Sequence, residues 1–213
     1  MRTDDLVAML ATGPVGVGAH AASRRFAAAL GLGSVIAALL MAVVLGVRPD
    51  LVAAIQLPMF WVKLAFVATL ALASGLVAWR LVQPGSRLAW APPALAAPAI
   101  VMWTLAAFSL VGADPARRGE LFFGLTWTTC PLFIALLALP VFVAVIWAMQ
   151  GLAPTRLRLA GAGAGLAAGS IGALVYSFHC PEMAAPFLAF WYLLGILIPA
   201  VVGSILGPRL LRW

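Results

Sequence analysis

Charge is the scarcest ingredient of this sequence. Asp, Glu, Lys and Arg make up 9% of its 213 residues, while 65% are hydrophobic. Soluble domains carry about 25% charged residues, and a soluble core this apolar would leave too little polar surface to cover it. The scarcity excludes a water-soluble globular protein and points to a chain solvated by lipid. Catalytic patterns are missing too. There is no C-x-x-C, no P-loop, no H-E-x-x-H and no nucleophile–base pair, so no enzymatic activity is expected. None of the long apolar stretches contains a carboxylate, so a proton- or cation-coupled transporter lacks its expected acid. With two cysteines in all, a closed four-ligand structural zinc site is disfavoured.

What is present is apolar length. A span needs about 20 mostly apolar residues, and six stretches qualify: 26–47, 58–79, 88–111, 130–149, 159–178 and 186–206. Only the second contains a charge, Lys63. Lipid offers the backbone no hydrogen bonds, so each stretch is expected to be a helix. The expected fold is an all-α integral membrane protein with six transmembrane helices and short loops. Residues 1–25 form an N-terminal tail, 26–207 the six-helix domain and 208–213 a C-terminal tail. Ser23-Arg24-Arg25-Phe26 faintly resembles a twin-arginine signal. The apolar run after it is longer than a signal core and no cleavage site follows, so it is read as an uncleaved first helix. The charge-free segment 121–127 either lies in the bilayer interface or extends the fourth helix outward.

Positive residues set the orientation. Six spans put both termini on one side, together with Arg2, Arg24, Arg25, Arg80, Arg87, Arg156, Arg158, Arg209 and Arg212. The other side holds only Arg48, Arg117 and Arg118. Positive residues stay cytoplasmic, so both termini are expected in the cytoplasm, with the loops near 50, 115 and 182 facing outward. Trp61 and Trp127 fall near the outer interface, and Trp79, Trp90, Trp147 and Trp213 near the inner one, as an aromatic belt requires. The net charge of +7 is then topological, and no direct nucleic-acid partner is expected.

The two cysteines are each followed by proline. Cys130 opens the fourth stretch and Cys180 closes the fifth, and a short segment, 150–155, joins them. A short connection makes the two helices antiparallel neighbours. Counted from Ala153 the cysteines are nearly equidistant. At about 1.5 Å per residue their heights differ by about one helical turn, on the outward side. Three readings stay open: inert buried thiols, a structural disulfide, or a reactive, metal-sensing pair. For the third, His179 is a further candidate ligand beside Cys180, and Glu182 lies close by.

Other features have competing readings. Lys63 is either a functional intramembrane charge or a side chain that snorkels to the headgroups or hydrogen-bonds locally. Gly161, Gly165, Gly169 and Gly172 form a small-residue ridge, and Gly195, Pro199, Gly203 and Gly207 a second series. Such ridges serve internal helix packing or a dimer interface, so a homo-oligomer stays open. Residues 3–11 read as a short helix, with Thr3 or Asp4 as cap, the acids at the favourable end of its dipole, and Leu6, Val7 and Leu10 on one face. Nine residues are marginal alone, so this helix is expected to dock. Two acids and one Arg suit an anionic membrane poorly, which favours a protein partner over an interfacial helix.

Several motifs carry a resemblance. They are, in order, Arg2-Thr3-Asp4-Asp5-Leu6, Val47-Arg48-Pro49-Asp50-Leu51, Cys130-Pro131, Ala153-Pro154-Thr155-Arg156, His179-Cys180-Pro181-Glu182, Phe190-Trp191-Tyr192 and the closing Gly207-Pro208-Arg209-Leu210-Leu211-Arg212-Trp213. Together they resemble the NrsF family of membrane anti-sigma factors, along the whole chain. The resemblance implies a protein that holds an extracytoplasmic-function sigma factor inactive at the bacterial inner membrane until heavy-metal or oxidative stress arrives. It implies sigma binding by the tail, here Thr3, Asp4, Asp5, Leu6 and Leu10, and signal perception by Cys130 and Cys180. No resident cofactor is expected, only a transient heavy-metal ion at the cysteine pair, with His179 as candidate third ligand. The lipid bilayer is the second partner. The competing function class is a small membrane transporter or channel, against which the scarcity of buried polar residues argues.

Overall fold

The computed structural model describes residues 3–11, 21–83, 85–86, 88–152 and 154–212. All regular structure among them is helical: α1 (Thr3–Ala11), α2 (Ala21–Leu45), α3 (Leu51–Ile55), α4 (Pro58–Leu81), α5 (Ala91–Gly112), α6 (Pro115–Phe123), α7 (Cys130–Gln150), α8 (Leu157–Tyr176) and α9 (Ala185–Leu210). Six of these, α2, α4, α5, α7, α8 and α9, are long and apolar enough to cross a membrane. Prolines start many of them. Pro58, Pro92, Pro115, Pro131 and Pro186 lie in first turns, where the missing N–H would have had no helical partner. α2 closes, and α9 opens, on a π-helical turn, Met41–Leu45 and Leu188–Tyr192.

The boundaries depart from the sequence reading in three places. α2 begins at Ala21 rather than at residue 26, so Arg24 and Arg25 ride on the helix. Segment 121–127 does not lengthen the fourth span. α6 is a separate helix, capped by the Asp114 carboxylate accepting from Ala116 N at 2.9 Å, and Gly124 at φ +56° turns the chain away from it. The short helix α3 occupies what was expected to be loop.

α8 is the central helix. It packs against α9, α4 and α7, and α2 lies chiefly on α7. The two glycine series face each other. A Cβ on Gly161 or Gly165 would run into the backbone at Gly203 or at Pro199 and Ala200, and one on Gly203 into Gly161. Most of both ridges is therefore spent on internal packing of α8 against α9, by the close backbone approach that small residues permit, while Gly172 and Gly195 face Ile134 and Ala138 of α7. Gly33 of α2 does the same against α7, where a Cβ would stand 2.7 Å from Val141 Cα. The buried apolar residues form two clusters. One surrounds Phe26, Ala78, Val141, Val145 and Ala164. The other surrounds Phe66, Ile134, Tyr176, Phe187 and Tyr192 and contains both cysteines.

Candidate functional site: the cysteine pair

Cys130 is the first residue of α7, and Cys180 lies just past the end of α8. Both are free thiols with no exposed surface, and their side chains are within hydrogen-bond reach of each other. The antiparallel geometry of α7 and α8 brings them together. The Cys180 thiol is pushed down to about 5. The Cys130 thiol donating to it contributes most and the Lys63 ammonium also favours the thiolate, while burial opposes both. This leaves one thiol of the pair as the better nucleophile and metal ligand.

The loop that carries Cys180 is held by cations. Lys63 of α4 has no exposed surface. Its Nζ donates to the carbonyls of Cys180 and Glu182, both at 3.0 Å, and lies 5.0 Å from the centre of the Tyr192 ring. Local hydrogen bonding is thus what this lysine does; it does not snorkel. Among the described residues no carboxylate pairs with it. Arg48, only 7% exposed, adds a bond to the same Cys180 carbonyl at 3.3 Å. Its guanidinium is gripped by Asp50 through two contacts of 2.7 Å. That fork holds the Asp50 carboxyl below its ordinary range, while the same bond raises Arg48 against the opposing effect of burial.

Neighbouring residues complete the frame. His179 turns its Nδ1 to the Gly46 carbonyl at 2.8 Å. A carbonyl only accepts, so Nδ1 carries the proton. The Glu182 carboxylate accepts from Leu125 N at 2.7 Å, Thr126 N at 3.2 Å and Thr126 Oγ1 at 3.3 Å, which latches the α6–α7 turn onto the cysteine loop. Glycine suits Gly124's place on two counts: its φ of +56° strains any side chain, and a Cβ would meet the Glu182 carboxylate at 2.6 Å unless that flexible side chain shifted. Trp191 Nε1 donates to Phe122 O at 2.9 Å, inside an aromatic cluster of Phe122, Phe123, Trp127, Phe190 and Trp191. The Tyr192 hydroxyl is buried without a partner in hydrogen-bonding geometry, although Cys180 and Ser177 are close to it. Among the described residues no three His, Cys, Asp or Glu side chains are grouped as a metal site. The structure brings the two thiols together and engages Nδ1 of His179 with the Gly46 carbonyl.

Comparison with known proteins adds the biological frame. The family described as "NrsF: Negative regulator of sigma F" matches residues 10–213. A protein of Azospira oryzae named "Probable anti-sigma-F factor NrsF" is 54% identical, over the full length of both chains. The "Anti-sigma-F factor NrsF" of Caulobacter vibrioides is 41% identical, again over all of both chains. No solved structure matches. This chain belongs to the NrsF family.

The N-terminal tail is placed apart from the cysteines in the chain. α1 precedes the N-terminal end of α2, whereas the cysteine loop meets its C-terminal end. Thr3, Asp4 and Asp5 are exposed on α1. The side chains of Leu6 and Leu10 lie outside the described residues. Sequence reasoning missed Arg48 and the Glu182 latch. The signal was available: in a chain with this little charge, an Arg and an acid at the ends of apolar stretches each need a partner.

Proposed function

We propose that this chain is an inner-membrane anti-sigma factor. It holds an extracytoplasmic-function sigma factor through Thr3–Ala11 and releases it when Cys130 and Cys180 become linked by heavy-metal or oxidative stress. The observation that carries the reading is full-length identity of 54% and 41% to two proteins named anti-sigma-F factors. Six helices of sufficient length and apolarity support a bilayer location, and the arginine distribution supports cytoplasmic termini. A regulatory family makes an enzymatic role unnecessary. The linkage step balances without a resident cofactor. Two thiols and one soft divalent metal ion give a bis-thiolate complex and two protons. Two thiols and one hydrogen peroxide give a disulfide and two waters. A full swing from bound to free sigma factor needs about 5 kcal/mol of differential affinity, within reach of a metal–thiolate or disulfide bond.

The test is co-purification from detergent-solubilised membranes, with and without a heavy-metal pulse. A sigma factor should be retained by the wild type and lost on the pulse. It should be absent from Leu6→Asp with Leu10→Asp, and retained through the pulse by Cys130→Ser with Cys180→Ser. A double serine variant that releases its sigma factor like the wild type sinks the sensing reading. No sigma factor in any sample sinks the whole proposal.

A further inference from the structure

The cysteine loop is stitched to the end of α2 at three points. His179 Nδ1 donates to Gly46 O at 2.8 Å, Arg48 N donates to Phe178 O at 3.1 Å, and Arg48 Nη1 donates to Cys180 O at 3.3 Å. All three contacts run between residues 178–180 and residues 46–48. Asp50 holds the Arg48 guanidinium from the far side, so the arginine cannot swing away when the loop moves. Lys63 takes the same Cys180 carbonyl from α4. That one oxygen is therefore shared between the central bundle and the end of α2.

The end of α2 is built to give. Met41–Leu45 is a π-turn, closed by Gly46 N donating to Met41 O at 2.9 Å. Gly46 follows at φ +78°, a conformation in which a side chain is strained. π-turns hold one residue more than an α-turn and are found at functional positions in helices. Beyond the turn, α2 runs unbroken to Ala21, which is about 30 Å away at about 1.5 Å per residue. The chain ahead of Ala21 leads to α1. α2 rests chiefly on one neighbour, α7, whose first residue is Cys130.

We propose that Arg48 and His179 are positioning residues that tie the cysteine pair to α2, and that α2 carries the signal from the pair to the Thr3–Ala11 segment. This rests on the sensing reading above. Linking the two sulfurs fixes Cys180 to the start of α7. The loop then moves relative to residues 46–48, and the strain falls on the π-turn and on α2. Neither residue touches the sulfurs; each acts through the loop backbone.

The experiment uses the full chain in detergent with its sigma factor, and diamide as oxidant. Diamide takes two hydrogen atoms from the thiols, becoming the hydrazine as the disulfide forms. Free-thiol titration reports linkage, amide hydrogen exchange over residues 41–48 reports the turn, and co-purification reports release. In the wild type, oxidation should raise exchange over 41–48 at least tenfold and release the sigma factor. Arg48→Met with His179→Leu should form the disulfide and hold the sigma factor, but release it at least tenfold less on oxidation. Arg48→Lys with His179→Gln keeps a donor at each position and should restore release. Unchanged exchange over 41–48 in the oxidised wild type overturns the proposal, even if the first variant fails to fold. Wild-type release by Arg48→Met with His179→Leu overturns it, as does failure of that folded variant to form the disulfide. A wild type that oxidises and loosens at 41–48 but never holds a sigma factor supports the link while refuting the anti-sigma reading.

Discussion

α8 and α5 obey opposite rules from those of a water-soluble protein. α8 is the least hydropathic of the six long helices, yet 72% of its apolar stretch is buried; α5 is more hydropathic, and 11% of its stretch is buried. In water the more apolar helix would take the centre. On the proposed membrane reading the hydrophobic term between helices vanishes, and close packing decides. α8 is central because Gly161, Gly165 and Gly169 let the α9 backbone come close. α5 faces outward because Ile100, Trp103 and Phe108 cost nothing there. The lesson extends to Lys63: this charged side chain is fully buried because it finds two carbonyls.

The largest expected effect tests that rule directly. Gly165→Leu would drive a Cβ to 2.7 Å from Ala200 Cα, where backbone cannot yield. It should cost at or above the upper end of the about 1–3 kcal/mol typical of overpacking. The same change at Gly75 or Gly112, where nothing lies within 4 Å, should stay within about 0.5 kcal/mol. Thermal unfolding in detergent compares them, and equal losses would erase the distinction between the helices. Next comes Lys63→Met. The Cys180 carbonyl keeps Arg48, but the Glu182 carbonyl loses its lysine donor. A fully buried orphaned acceptor costs about 1–3 kcal/mol, and the partly buried Glu182 carbonyl should cost the lower end of that range. A variant as stable as the wild type would mean that relief from burying the ammonium offsets the loss.

Smaller effects sharpen the picture at the latch. Glu182→Ala removes the acceptor of Leu125 N and Thr126 N. Being partly open to solvent, it should cost about 1 kcal/mol and speed amide exchange over 124–126 by about fivefold. Exchange that does not change would show that the aromatic cluster alone holds the turn. The last prediction concerns pH. The Cys180 thiol sits near 5 when folded and near about 8.5 when unfolded. Its folded value is the lower one, so the thiolate's stabilisation is complete above the unfolded value and disappears as pH falls through about 5. Alkylation of Cys180 by a small reagent should show a midpoint well below that of a free thiol. Cys130→Ala removes the largest contribution and should move that midpoint upward; a midpoint that stays put assigns the effect to Lys63 instead.

Much of this fold was legible because, on the proposed membrane reading, lipid leaves few options. Six apolar runs of sufficient length become helices, since no other backbone can be satisfied there. The meeting of Cys130 with Cys180 follows from near-equal distances to one short connection. The glycine series announced close packing, although only the structure shows that Gly161, Gly165 and Gly169 meet α9 while Gly172 and Gly195 meet α7. The partners of Lys63 were not legible, because they lie 117 and 119 residues away, on a loop with no periodic pattern. The position of His179 beside a cysteine suggests a ligand, yet nothing in the sequence reveals that its ring reaches back to Gly46. The separate helix α6 had a readable start in Asp114-Pro115, but its apolar end hid the stop at Gly124.

The distance in sequence between Lys63 and its acceptors has a consequence for how the chain is made. α4 leaves the ribosome long before residues 180 and 182 exist. On the membrane reading, its ammonium must therefore wait, at the headgroups or in the insertion machinery, until α8 has crossed and the loop behind it has arrived. Only then can Lys63 sink to its final depth. The cysteine loop is thus the closing piece of assembly, and a chain truncated before it should strand α4 short of its place.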